Sequence, residues 1–395
     1  RPIDIPSFSW TMSVSSFGFS TTSKGPSAMD ESSLTVPFSQ FDSYDDMGVL
    51  THRATPMEIN GLLSMGRRGL CSTWDYPGCD DPRGMPVMSG ALGDREDHWL
   101  DTTFPVVSPM DLLGDRYAIR DGAFRDGTST DTLSWQNLSL RGIACELIQS
   151  GTMAKNGGAL PFDLPYLGEA GNHQRTNYQA WNVQNLSIKK LLTDISNVIG
   201  GPDMGFRPRF DGDHVTWGFV AGSDGDVYLD AGNLPVSLSV SPYGGSMELT
   251  AVNWQHAIQR WYGTGAGTDA SVVTALAEDL SQITGRPDPP ILRETAYSDT
   301  DAASVGVLKP KLQALLASNR LPIAQVTGVI HVDDLGPNGL PLHPLGSFWP
   351  GNRVDVDVTG HRTLPDGRYP MRLMEMSGDQ TDAVTLKFDV FQPGF

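Results

Sequence analysis

Residues 352–391 read NRVDVDVTGHRTLPDGRYPMRLMEMSGDQTDAVTLKFDVF. Within this stretch, RVDVDVTG alternates valine with a polar residue, a period of two that is typical of a strand with one wet face. GRYPMRLMEMSG and AVTLKFDVF follow it as further strand-like runs bounded by turn residues. Together with PIAQVTGVIHV at 322–332, they predict an antiparallel sheet or barrel in this part of the chain.

Upstream of this sheet, the chain continues as short strands separated by turn residues. Gly (43) and Pro (28) are frequent among the 395 residues, which favours tight turns over long helices. The segments GFRPRF and HVTWGFVAG predict two strands joined by a turn at Asp211, Gly212 and Asp213. FSWTMSVSSFGFS at 8–20 alternates in part and predicts a half-buried strand.

Three regions have helical patterns, and one region has no clear period. Residues 108–152 are expected to be helical, with Ser108 and the following proline as the start signal. A helix kinked at Pro310 is expected over 302–320. Residues 61–105 show no clear period and predict an extended surface loop. The apolar stripe of the remaining helix, NLSIKKLLTDISNVIGG, consists of Ile188, Leu191, Leu192, Ile195 and Val198.

Residues 260–280, RWYGTGAGTDASVVTALAEDL, have the order strand, glycine loop and helix that is found in phosphate-binding sites. The dinucleotide fingerprint Gly-x-Gly-x-x-Gly fails here at Thr268, and no lysine follows the loop. We therefore interpret Gly263, Gly265 and Gly267 as a structural turn, a sharp exit from a strand into a helix over 270–280.

The charge balance argues against a DNA-binding protein. Lys and Arg number 28 against 46 Asp and Glu, a net charge of −18, so most of the surface repels phosphates. The three cysteines cannot make a complete disulfide framework. Cys71 and Cys79 flank a short loop and can pair, but three reduced thiols are the favoured interpretation.

The chain has no recognisable catalytic, cofactor-binding or metal-binding motif. His-Glu-x-x-His and Gly-x-Ser-x-Gly are missing, and the eight histidines are scattered singly. Asp224, Asp226 and Asp230 resemble a calcium loop only loosely, so we expect them to form a turn. Two carboxylates that meet in space remain a possible glycan-cleaving pair. No apolar run reaches the length of a membrane span or of a signal-peptide core.

Four stretches in order resemble the minor tail proteins of long-tailed phages that infect actinobacteria, which are similar to tail-tip or baseplate hub proteins. They are ALPFDLPYLGEAGNHQRTNYQAWNV at 159–183, LLTDISNVIGGPDMGFRPRF with HVTWGFVAG, RWYGTGAGTD, and the quoted stretch at 352–391. The resemblance covers residues 108–395 and rests on the spacing and general residue pattern of these stretches, not on a catalytic motif. Residues 71–99 have no counterpart in it.

The resemblance implies a β-rich α+β fold with two β-barrel domains and inserted mixed α/β segments. The expected domains are a barrel segment over 1–107 with a loop insertion at 61–105, an insert domain over 108–234, and a second barrel over 235–395 with a helical excursion at 268–320.

It also implies a virion structural protein without enzymatic activity, assembled in the host cytoplasm. A homotrimeric ring would join the hexameric tail tube to a threefold tip and let DNA pass. The implied partners are the distal tail protein, the tape-measure protein and other tail-tip or fibre proteins. A cell-wall- or carbohydrate-active tail enzyme and a host-receptor-binding module remain the alternatives.

Overall fold

The computed structural model describes residues 8–14, 18–22, 33–198, 200–229, 235–300 and 302–391, which form two units. The first unit comprises Arg1–Glu248, Gly328–His361 and Pro365–Lys387, and the second comprises Leu249–Thr327, Arg362–Leu364 and Phe388–Phe395. Strands dominate, and the sheets curl as half-barrels, so the predicted β-rich α+β class is confirmed. The domain boundaries at 107 and 234 stay a prediction.

The first unit begins with an antiparallel pair, β1 (Ser9–Ser13) and β2 (Gly18–Thr22). A sheet in the order β3-β9-β7-β6 follows, with β8 paired to β9, and a small hairpin of β4 and β5 precedes helix α1. The bounds of these elements are β3 Ser33–Pro37, β4 Ser43–Tyr44, β5 Leu50–His52, α1 Pro56–Leu62, β6 Gly69–Trp74, β7 Met85–Leu92, β8 Glu96–Asp97 and β9 Asp101–Val107.

The prediction of a surface loop over 61–105 was therefore wrong. Strand β7 is buried on both faces along most of its length, and a strand of that kind has no alternation to reveal it. Pro86 and Gly90 inside β7 further obscured the strand, because both residues are uncommon in strand interiors.

The middle of the first unit has two small sheets and three helices around one core. Strands β10 and β12 form an antiparallel pair, and a second sheet has the order β11-β14-β13. The bounds are α2 Pro109–Leu112, β10 Thr132–Leu138, α3 Leu140–Gly151, β11 Phe162–Asp163, β12 His173–Gln179, α4 Ile188–Ser196, β13 Met204–Asp211, β14 His214–Ala221 and β15 Val236–Val240.

Helices α3 and α4 confirm two of the helices expected from the sequence. Helix α3 confirms a helix within the expected region 108–152, and α4 buries its stripe except Val198, which lies beyond the helix end and is exposed. The expectation of helix throughout 108–152 was wrong over 116–138, which contains no helix and includes β10. The predicted turn between β13 and β14 is confirmed, because Asp211 pairs with His214 across it.

The second unit contains a three-stranded sheet in the order β18-β17-β19, with helix α5 packed on one face. The helix predicted over 270–280 was wrong, because Thr274–Glu278 is a strand whose small residue Ala277 faces the core. Helix α5 does contain Pro310, as predicted. The bounds are β16 Glu248–Gln255, β17 Arg260–Thr264, β18 Thr274–Glu278, β19 Glu294–Ser298 and α5 Val305–Asn319.

The strands predicted near the end of the chain are confirmed. They are β20 (Ile323–His331), β21 (Arg353–Val358), β22 (Gly367–Gly378) and β23 (Ala383–Phe391), in the sheet order β15-β21-β22-β23-β20. The first half of β22 pairs with β21, and its second half pairs with β1. The sheet is mixed rather than antiparallel throughout, because β15 runs parallel to β21.

Candidate assembly surface

The first unit exposes many large apolar side chains between residues 44 and 100. Two hydrogen bonds tie parts of this region to the 3₁₀ turn at Phe38–Phe41 and the residue after it: Phe38 N donates to Leu100 O at 2.9 Å, and Ala54 N donates to the Asp42 carboxylate at 2.8 Å. Clusters of exposed apolar side chains mark interaction surfaces more often than isolated ones do. This N-terminal apolar surface consists of Tyr44, Met47, Val49, Leu50, Met57, Leu62, Met65, Trp99 and Leu100.

Its most exposed part is the turn between β8 and β9, where Trp99 is 97% exposed and Leu100 is 77% exposed. The turn is closed by His98 N, which donates to Asp101 O at 2.8 Å. The buried Thr102 hydroxyl donates to the Asp97 carboxylate at 2.7 Å and ties the base of the turn to β9. Burying one indole removes about 200 Å² from water, worth about 4–6 kcal/mol before the costs of association.

The hairpin of β4 and β5 presents a second apolar tip. The Asp45 carboxylate accepts from Met47 N at 3.0 Å and from Val49 N at 2.8 Å, which fixes the turn. Gly48 has a φ of +76°, the left-handed conformation that suits glycine. Met47, held at this tip, is 85% exposed.

Helix α1 presents Met57, which is 84% exposed, and the helix is held mainly by its N-terminal cap. Thr55 and Glu58 form a capping box in which Thr55 N donates to the Glu58 carboxylate at 2.8 Å. His52 Nε2 lies 3.1 Å from the same carboxylate. The hydrogen bonds from Thr55 and His52 hold the pKa of Glu58 at about 2, below its usual 4.5.

The three glycines singled out in the sequence lie at the β17–β18 hairpin of the second unit. Gly263 is within β17, and a Cβ there would lie 2.5 Å from Leu312 Cδ1 of α5. Gly267 has a φ of +123°, and Gly265 lies against the Ala302 carbonyl. The loop passes through a 3₁₀ turn at Asp269–Ser271 and returns as β18. It therefore closes a hairpin and is not an exit into a helix.

Two aspartates of the predicted acidic turn contact other parts of the chain. The Asp224 carboxylate accepts from Leu140 N at 3.1 Å, Asp226 lies 3.0 Å from Arg353, and Asp230 lies outside the described residues.

Cys71 and Cys79 are free thiols, so the disulfide that their spacing allows is not formed in the structure. Burial raises the pKa of Cys71 to about 11. Within the described ranges, no group of three or more His, Cys, Asp or Glu side chains is arranged to hold a metal ion.

Sequence reasoning missed the N-terminal apolar surface. Apolar residues occur both in cores and on surfaces, and only the folded chain distinguishes the two. One signal was present: His98, Trp99, Leu100 and Asp101 place an apolar pair between polar residues in a turn-rich segment.

No protein-family model and no curated protein matches this chain. Among solved structures, one similar protein is the 43 kDa tail protein of prophage MuSo2 from Shewanella oneidensis. The match covers 98% of this chain and 94% of that protein, with 12% identity and a TM-score of 0.47. Another is a tail protein from Neisseria meningitidis. That match covers 99% of this chain and 93% of that protein, with 13% identity and a TM-score of 0.46.

A third similar structure is an Escherichia coli component of the type VI secretion system that resembles T4 bacteriophage tail proteins. That match covers all of this chain (100%) and 74% of the other, with 11% identity and a TM-score of 0.41. At this level of identity and TM-score, the similarities alone establish neither the fold nor the function of this chain. In the part of the chain that the structure describes, no helix is both long and apolar enough to cross a bilayer.

Proposed function

We propose that this chain is a structural component of a phage virion, a tail-tip or baseplate hub that assembles as a trimeric ring. The observation that carries the proposal is the N-terminal apolar surface, above all Trp99 and Leu100 at the tip of a closed turn. Aromatic side chains held rigidly at a surface are typical of interface hot spots. The sequence resemblance to minor tail proteins supports the choice of a tail over other assemblies.

In this role the ring joins the hexameric tail tube to a threefold tip and lets the genome pass. The distal tail protein, the tape-measure protein and tail-tip or fibre proteins are its neighbours in the virion tail. The net charge of −18 supports passage of DNA, because a channel of like charge does not retain phosphates. The proposal assigns the chain no catalytic step.

The mass of the purified chain in solution tests the ring. We expect a species of three times the 42.7 kDa chain mass by light scattering. The variant Trp99→Ala/Leu100→Ser should weaken the association at least tenfold, because it removes the apolar area buried at the interface. Trp181→Ala is the matched control, since Trp181 is 63% exposed at a different part of the first unit and should leave the association unchanged.

Two results would contradict this proposal. One is a monomer at every concentration, both alone and with tail-tube protein. The other is an equal loss of association in the Trp181→Ala control. Turnover of host cell-wall glycan by the purified monomer would favour the enzyme alternative instead.

A further inference from the structure

A groove of about 670 Å³ lies beside β6 in the first unit. One wall is formed by β6 itself, and another by Leu160, Pro161 and Trp217. The wall at Trp217 is fixed by a buried hydrogen bond from its indole N–H to the Ser89 hydroxyl at 2.6 Å. The groove is therefore formed by packed elements rather than by a loose loop.

Strand β6 is the last strand of its sheet, so one row of its backbone N–H and C=O groups faces away from β7. Its six residues span about 20 Å in an extended conformation. Small residues line the groove beside it, namely Gly69 of β6 and Ser89, Gly90 and Ala91 of β7. An open strand edge beside small residues leaves room for another extended chain.

Three arginines line the groove: Arg67, Arg68 and Arg116. The carboxylates that also line it are Asp115 and Asp213. Across the described residues, no ion pair links a carboxylate to any of these three arginines, although the chain as a whole carries a charge of −18. Three arginines against two carboxylates give the groove a positive balance on an acidic protein, which favours a negatively charged occupant.

We propose that this groove binds an extended acidic segment of a partner protein, which adds as a strand to β6. Backbone hydrogen bonds to β6 provide the register, and carboxylates of the segment pair with Arg67, Arg68 and Arg116. A peptide fits better than a nucleic acid, because a phosphodiester chain cannot use the row of backbone groups on β6. None of the residues of the N-terminal apolar surface lines this groove, so the inference goes beyond the hub function.

Binding of synthetic ten-residue peptides to the full chain tests the proposal. The probes are fluorescent peptides of alternating Val and Glu, Val and Gln, and Val and Lys, followed by anisotropy at low salt. We expect the Glu peptide to bind at least tenfold more tightly than the Gln peptide, and the Lys peptide not to bind. Hydrogen exchange of residues 69–74 should slow in the complex, because β6 amides become paired.

The variant Arg67→Glu/Arg68→Glu should weaken Glu-peptide binding at least tenfold and leave ring formation intact. The matched control is Arg286→Glu/Arg362→Glu, which reverses two exposed arginines of the second unit and should change nothing. The proposal is overturned if the Glu peptide does not bind at millimolar concentration, or if the Gln peptide binds equally. It is also overturned if a single-stranded oligonucleotide binds more tightly than the Glu peptide, or if exchange at 69–74 stays unchanged.

Discussion

Ser89 and Trp217 illustrate how much one buried polar pair contributes to this fold. Both residues are buried, and the indole N–H has its partner in the Ser89 hydroxyl. Ser89→Ala leaves that N–H unsatisfied, which should destabilise the first unit by about 1–3 kcal/mol. In urea unfolding, the double variant with Trp217→Phe should lose less than the sum of the two single variants. Strict additivity would mean that the hydrogen bond contributes nothing.

Glu58 makes the cap of α1 dependent on pH. Its pKa is lowered to about 2 in the folded chain, so its contribution to stability is fully present above about pH 4.5 and is lost as the pH falls toward 2. The hydrogen-exchange protection factors of residues 55–63, which correct for the intrinsic dependence of exchange on pH, should therefore fall across that interval. Glu58→Gln should have lower protection factors at neutral pH and little further change on acidification, whereas an acid response equal to that of the parent chain would contradict the role given to Glu58.

Between elements, Gly263 sets how closely α5 approaches β17. An added methyl group would meet Leu312, which is fully buried and has little space to move. Gly263→Ala should therefore destabilise the second unit by about 1–3 kcal/mol. Leu312→Ala alone should also destabilise this unit, because it leaves a cavity. The double variant should lose less than the sum of the two single variants, since the new methyl group then occupies space that the leucine leaves. Thermal unfolding of the three variants checks this, and strict additivity would argue against the contact.

Elements whose residues follow a clear period could be predicted from the sequence, and elements with no period or an ambiguous composition could not. The valines of β21 and the stripe of α4 are buried as their periods predict. Strand β7 has no exposed face to show a period, and the alanines and leucine of β18 suit helices as well as strands, so that segment predicted a helix. Trp99 was missed because exposure depends on where the turn lies in the folded chain, which a linear pattern does not contain.

At the scale of the whole molecule, the charge predicts how the protein treats DNA. With a net charge of −18, the purified chain should not retard duplex DNA in a gel, even at about 50 mM salt where phosphate contacts are strongest. A shift that disappears as salt increases would contradict the view that the acidic surface keeps DNA from adhering. The basic groove beside β6 is a local exception that should not change this result.

The pairing of β1 with β22 has a consequence for biosynthesis. Met12 lies opposite Met376, so most of the described chain is synthesised between the two partners. At typical bacterial elongation rates, β1 waits on the order of a minute before β22 is available. During that time the strand edge is open to neighbouring nascent chains on the same polysome. We therefore expect the yield of correctly folded protein to depend on chaperone binding to the β1 region during this interval.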